Sequence, residues 1–244
     1  MISGAALAEL ERYAPQGQQA ILAVARVISL VSKQSLDGAP ARAVIAVMDQ
    51  RGIPPEMALP LLGRLGGRPA LSRIDAGLAS PEPRVRDAAL DGLCNWPDAS
   101  MADRLLALAR ECLVQPERGP LGRQALRAYV RTVSLESDRE PQATLAMLEQ
   151  AMALAGDGPK EDRGYILERT AAAVRTMAAV EWVVGHLDTP STTQAACRAL
   201  VALAHHKSLR RPNPERFRPL LDRVATLADD LAIAIRAQRY RLGL

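Results

Sequence analysis

The stretch 70–96, ALSRIDAGLASPEPRVRDAALDGLCNW, can fold only as part of something larger. Leu71, Ile74 and Leu78 recur at steps of three and four, which places one apolar stripe on a helix. The pattern stops at Ala79 and Ser80, because Pro81 and Pro83 follow and a proline pushes the residue before it out of the helical region. Pro83 suits the first turn of a second helix, where no amide partner is lost. Val85, Ala88, Ala89, Leu93 and Trp96 give that helix a stripe of its own. Two helices of about three turns each, with one apolar face apiece, are marginal in water by themselves. They need like units on either side.

The rest of the chain supplies such units. Asp87-Ala88-Ala89-Leu90-Asp91-Gly92-Leu93 aligns with Arg123-Gln124-Ala125-Leu126-Arg127-Ala128-Tyr129, and again with Gln194-Ala195-Ala196-Cys197-Arg198-Ala199-Leu200. The shared order is polar, small, small, apolar, polar, small, large. Small residues let neighbouring helices approach, and the large one fills the gap between them. The interval is about 35–40 residues, within the range of stacked helical pairs. Turns marked mostly by proline or glycine predict about fourteen helices and no strand. The expected spans are 3–13, 18–33, 41–50, 55–65, the two of the 70–96 unit, one from 98, then 121–134, 141–155, 160–176, 178–187, 191–206, 214–228 and 231–242. Gly66-Gly67 is the expected C-cap of one helix, and Asp98 or Ser100 the expected N-cap of another. Aromatics are only 3% of the chain, so the core is expected to be built from Leu, Ala and Val.

The turn Ser80-Pro81-Glu82-Pro83 and the run Val85-Arg86-Asp87-Ala88-Ala89-Leu90 resemble a HEAT repeat of the PBS-lyase type. That family usually has an aspartate where this chain has Ser80. The chain from Pro141 onward is also similar to helical-repeat modules of bacterial multidomain proteins. The resemblance implies an all-α, right-handed α-solenoid of antiparallel helix pairs. It would form one domain over 1–244 of about six to seven pairs, with 207–244 as a basic C-terminal cap. By the same resemblance, the second helices of the pairs line the concave side.

Residues that would carry chemistry are not grouped in any diagnostic pattern. The chain lacks Gly-x-Gly-x-x-Gly, a Walker loop, Gly-x-Ser-x-Gly and His-Glu-x-x-His. It also lacks Cys-x-x-Cys-His, so no haem attachment is expected. His205 and His206 are adjacent on a helix and point about 100° apart, poorly placed to share a metal. Cys94, Cys112 and Cys197 are far apart and read as small core residues in a reducing compartment. Trp96 and Trp182 read as packing plugs. No signal peptide is recognisable, and 21–31 is too short and interrupted to span a membrane, so a cytoplasmic, non-membrane protein is expected. No enzyme activity and no cofactor are expected.

Charge is the remaining signal. Residues 205–244 hold nine Lys or Arg against four acids, while the whole chain is only +4, so the excess lies at one end. Arg123, Arg127 and Arg131 repeat every four residues and form one stripe on their helix. The repeat alignment sets Asp87, Arg123 and Gln194 in one exposed column, and Asp91, Arg127 and Arg198 in the next. A wall of arginines suits bidentate grip on carboxylates or phosphates. The expected function is therefore a protein-interaction scaffold. Its candidate partner-binding residues are Asp87, Asp91, Arg123, Arg127, Arg131 and Arg198, and its partner is an acidic protein. The alternative is nucleic-acid binding at the basic end through Arg210, Arg211, Arg216 and Arg218.

Overall fold

The computed structural model describes residues 39–244 except 51 and 136, and the expected helices over 3–13 and 18–33 lie outside the described residues. Every regular element among the described residues is helical: α1 Ala39–Gln50, α2 Pro55–Leu65, α3 Gly67–Leu78, α4 Pro83–Cys94, α5 Ala102–Leu113, α6 Gly119–Val133, α7 Pro141–Ala155, α8 Lys160–Ala173, α9 Met177–Val184, α10 Thr193–His205, α11 Lys207–Arg210, α12 Pro214–Leu227 and α13 Leu231–Arg241. Short 3₁₀ turns, Ala99–Met101 and Pro116–Arg118, lead into α5 and α6. No helix among the described residues is long and apolar enough to cross a membrane.

Local chemistry accounts for the boundaries. Proline opens α2, α4, α7 and α12 at the first turn, as its missing amide proton allows. Gly66, with φ of 68°, closes α2 by donating its amide to the Leu62 carbonyl; this backbone conformation is costly for a residue with a Cβ. Asp98 accepts the Ser100 amide, Thr176 the Ala179 amide and Asp230 the Ala232 amide, each satisfying an orphan donor at a helix start. The stretch 207–213, expected as a basic loop, instead contains α11, which turns directly off the end of α10.

The molecule divides into two compact units, Met1–Leu105 and Leu106–Leu244. In the first, α1 packs on α2 and α3, α2 on α3 and α4, and α3 on α4. The closest approach is between α2 and α4. A Cβ on Gly63 would overlap the Gly92 carbonyl group, and one on Gly92 would lie 2.6 Å from the Leu59 carbonyl oxygen. Ile74, fully buried, packs beside this crossing; Leu93 is fully buried on α4, and Trp96 lies near Gly66 with its Nε1 donating to the Ser100 hydroxyl at 2.9 Å.

In the second unit α6 packs on α7 and α8, α7 on α8, α8 on α9 and α10, α9 on α10, and α10 on α11, α12 and α13. One apolar core runs from Leu167 to Ala237, so the basic segment 207–244 shares its interior with the helices before it. Burial follows the aligned register. The three "large" positions, Leu93, Tyr129 and Leu200, are all fully buried, and Ala89, Ala125 and Ala196 are sealed with them. Gln124 departs from the pattern: it is exposed, whereas Ala88 and Ala195 at the same position are buried.

Leu93→Ala removes a fully buried side chain and should cost about 2–5 kcal/mol in urea unfolding. Gly63→Ala tests the crossing from the opposite direction. Helix propensity alone would favour alanine by about 1 kcal/mol, but the added methyl must push α4 away, so the net change should be a loss of about 1–3 kcal/mol. A gain in stability would mean that α2 and α4 do not touch there.

Candidate functional site

The candidate arginines sit on helices whose register puts them at the seams between neighbours. On α6, Arg123, Arg127 and Arg131 fall one turn apart, as their spacing requires. Arg127 reaches across to α8, where its Nε donates to Asp162 at 2.5 Å. The Asp162 side chain is 5% exposed and that of Arg127 51%. From the other side of α8, Arg198 of α10 donates its Nε to Glu168 at 2.7 Å, with both side chains nearly half exposed. Gln194, one turn earlier on α10, donates to the Leu227 carbonyl at 2.9 Å and accepts the Asp229 amide at 3.0 Å.

Three members of the expected exposed columns therefore stitch one helix to another. Arg123 and Arg131 are half-buried on α6. Asp87 and Asp91 are exposed on α4, in the first unit.

The seam contacts recur at a fixed separation. Arg127–Asp162, Glu181–Arg216, Asp188–Arg223, Gln194–Asp229 and His205–Tyr240 are each 35 residues apart. The Glu181 and Asp188 pairs are well exposed and contribute little, about 0–1 kcal/mol each. The pair that matters energetically is Arg127–Asp162, because its carboxylate is inside.

The basic end differs from its expected form. Of the four candidate nucleic-acid residues, Arg210 is buried at 5% exposure. Its guanidinium donates to the Ala204 carbonyl at 2.8 Å and the Leu244 carbonyl at 3.3 Å, and lies 4.6 Å from the centre of the Tyr240 ring. Arg216 is held by Glu181. Arg211 and Arg218 are exposed. This corrects the expectation that all four present themselves to phosphates: Arg210 is a structural cation, because burial was accessible to it only through two carbonyls and an aromatic face.

Burial shifts several other titratable groups. Burial and Arg163 lower the pKa of His186, which sits edge-on to Trp182 with ring centres 5.0 Å apart. Burial, then Arg175 and His205, lowers that of His206. Cys94, Cys112 and Cys197 are buried free thiols, and burial pushes Cys197 up to about 11. No group of three or more His, Cys, Asp or Glu able to hold a metal occurs among the described residues.

Sequence reasoning missed a pocket of about 480 Å³ in the first unit. It is walled by Ile45, Met48, Leu59, Leu62 and Val85, with the Asp49–Arg73 ion pair beside them. Its walls come from four helices, so no single stretch announces it. No protein-family model matches the chain, and no curated protein matches it.

Arg127→Ala should destabilise the protein by about 1–3 kcal/mol, because it leaves a buried carboxylate without its partner. Adding Asp162→Asn to that variant should recover most of the loss. A cost below about 0.5 kcal/mol would place Asp162 in water. All three thiols should react with a disulfide reagent at pH 8 only after unfolding, because they are buried and Cys197 stays protonated there.

Proposed function

We propose that the protein is a HEAT-like α-solenoid that acts as a protein-interaction scaffold. The observation that carries this reading is the pairing at a separation of 35 residues. Glu181 meets Arg216 and, seven residues on, Asp188 meets Arg223. Equal steps on both sides mean that the two segments run in the same direction, which is the relation between equivalent helices of successive repeats. Arg127 with Asp162 on α6 and α8, and His205 with Tyr240 on α10 and α13, follow the same interval for the second helices. Helices that pack mainly on the next and next but one leave long side surfaces uncovered, and such surfaces are what repeat proteins use for binding.

The face we assign to an acidic protein partner is the second-helix face of the second unit, with Arg123, Arg131 and the exposed parts of Arg127 and Arg198. Asp87 and Asp91, exposed on α4 of the first unit, are acidic and are not assigned to that face. Nucleic acid is the weaker reading, because burial of Arg210 and pairing of Arg216 remove two of its four proposed phosphate contacts.

The test leaves Arg127 in place, since it holds Asp162. Arg123→Glu with Arg198→Glu should melt within a few degrees of the parent, because the Arg198–Glu168 pair is exposed and such pairs contribute about 0–1 kcal/mol. In a cross-linked pull-down from the native host, the parent should retain a protein partner and the double variant should recover at least ten times less. Equal recovery by an intact double variant would move the site off this face. Retention of nucleic acid in place of protein would favour the alternative.

A further inference from the structure

The arginines of the basic end converge on one pocket. It has a volume of about 190 Å³ and lies between α11, α12 and the end of α13. Arg210, Arg211, Arg218 and Arg241 line it, together with Phe217 and Tyr240. No aspartate or glutamate lines it. The volume is below the range of about 300–1,000 Å³ typical of small-molecule sites, so it has room for a single side chain.

Two of the four guanidiniums are fixed. Arg210 is pinned by the Ala204 and Leu244 carbonyls and by the Tyr240 ring, whose hydroxyl is itself 2.8 Å from His205 Nδ1. Arg241 is paired with Asp222. Arg211 and Arg218 are exposed, and no ion pair among the described residues engages either. The pocket therefore has a preorganised cationic wall and two arginines still able to form bidentate bonds. Its exposed apolar lining is Pro214 and Leu242, while Leu221 and Phe217 are buried.

We infer that this pocket docks an acidic residue of a partner peptide, with an adjoining aliphatic residue of that peptide against the apolar surface. The inference rests on the scaffold reading, for which it names a second contact. Charge complementarity selects the occupant: no acidic residue lines the pocket, and Arg211 and Arg218 stand there without an ion pair among the described residues. Nucleic acid fits less well. Single strands bind through open aromatic faces and a track of cations, but Phe217 is 1% exposed and Arg210 already covers the Tyr240 ring. The cations here gather at one point.

The experiment uses the full chain and fluorescence anisotropy at physiological salt. The probes are a labelled, end-blocked peptide of alternating Glu and Leu, the same peptide with Gln for Glu, and a labelled DNA single strand of equal charge. The Glu peptide should bind at least tenfold more tightly than the Gln peptide and the DNA. Arg211→Glu with Arg218→Glu should weaken it at least tenfold without changing the circular dichroism. The conservative pair Arg211→Lys with Arg218→Lys should retain part of the affinity. If the peptide is lost on Arg123→Glu with Arg198→Glu and kept on the Arg211 and Arg218 variants, the pocket assignment falls and the scaffold reading stands. Absence of binding to the Glu peptide, equal binding of the Gln peptide, or tighter binding of DNA would each overturn the inference.

Discussion

Two helices can cross backbone to backbone only where neither carries a side chain at the crossing. Gly63 of α2 and Gly92 of α4 meet this condition, and the first unit is arranged around them. Neither glycine has a positive φ, so their use is space and not conformational freedom. Each sacrifices helix propensity of about 1 kcal/mol relative to alanine. What offsets that loss is the burial of Ile74 and Leu93, worth about 1.5–3 kcal/mol apiece by apolar transfer. In the second unit, where α8 meets α10, the crossing is looser: a Cβ on Gly164 would stand 3.3 Å from the Ala195 Cβ. Small residues set how near these helices come.

Much of this was legible beforehand. Pro55, Pro83, Pro141 and Pro214 marked helix starts to the residue, because a missing amide proton acts locally and needs no partner to be understood. The burial of Leu93, Tyr129 and Leu200 followed from periodicity. Gly92 was visible as a small position in the repeat order, but Gly63 was not, since its reason lies on another helix. The short α11 was hidden for a different reason: a four-residue helix shows no periodicity to read.

The functional residues were harder to read than the core. Exposure was inferred correctly for Arg127 and Arg198, which keep about half their surface, yet exposure is a poor guide to engagement. A side chain as long as arginine reaches a carboxylate one helix away, so a position that faces outward on its own helix can still belong to a seam. The clue was in the sequence as a pairing of charge at a separation of 35: Arg127 with Asp162, Glu181 with Arg216, Asp188 with Arg223. Neither periodicity within a helix nor alignment of small residues searches for it. Arg210 was misjudged for a related reason, because a basic run looks solvated until Ala204, Tyr240 and Leu244 close over one member of it.

These two fates of arginine bear on how a helical surface acquires a binding site. An arginine with an acid 35 residues away is neutralised along the seam and adds little net charge to the face it occupies. Arg216 and Arg223 are spent this way. Net attraction for an anionic partner then depends on cations left over from the pairing, and their placement matters more than their number. Arg211 and Arg218 lie beside the buried Arg210, which is held in place by two backbone oxygens and a ring. Arg211 and Arg218, both exposed, add their charge to that fixed guanidinium at one point of the surface. A modest local excess of charge can thus mark a specific contact, where the overall charge of the chain, only +4, would suggest none.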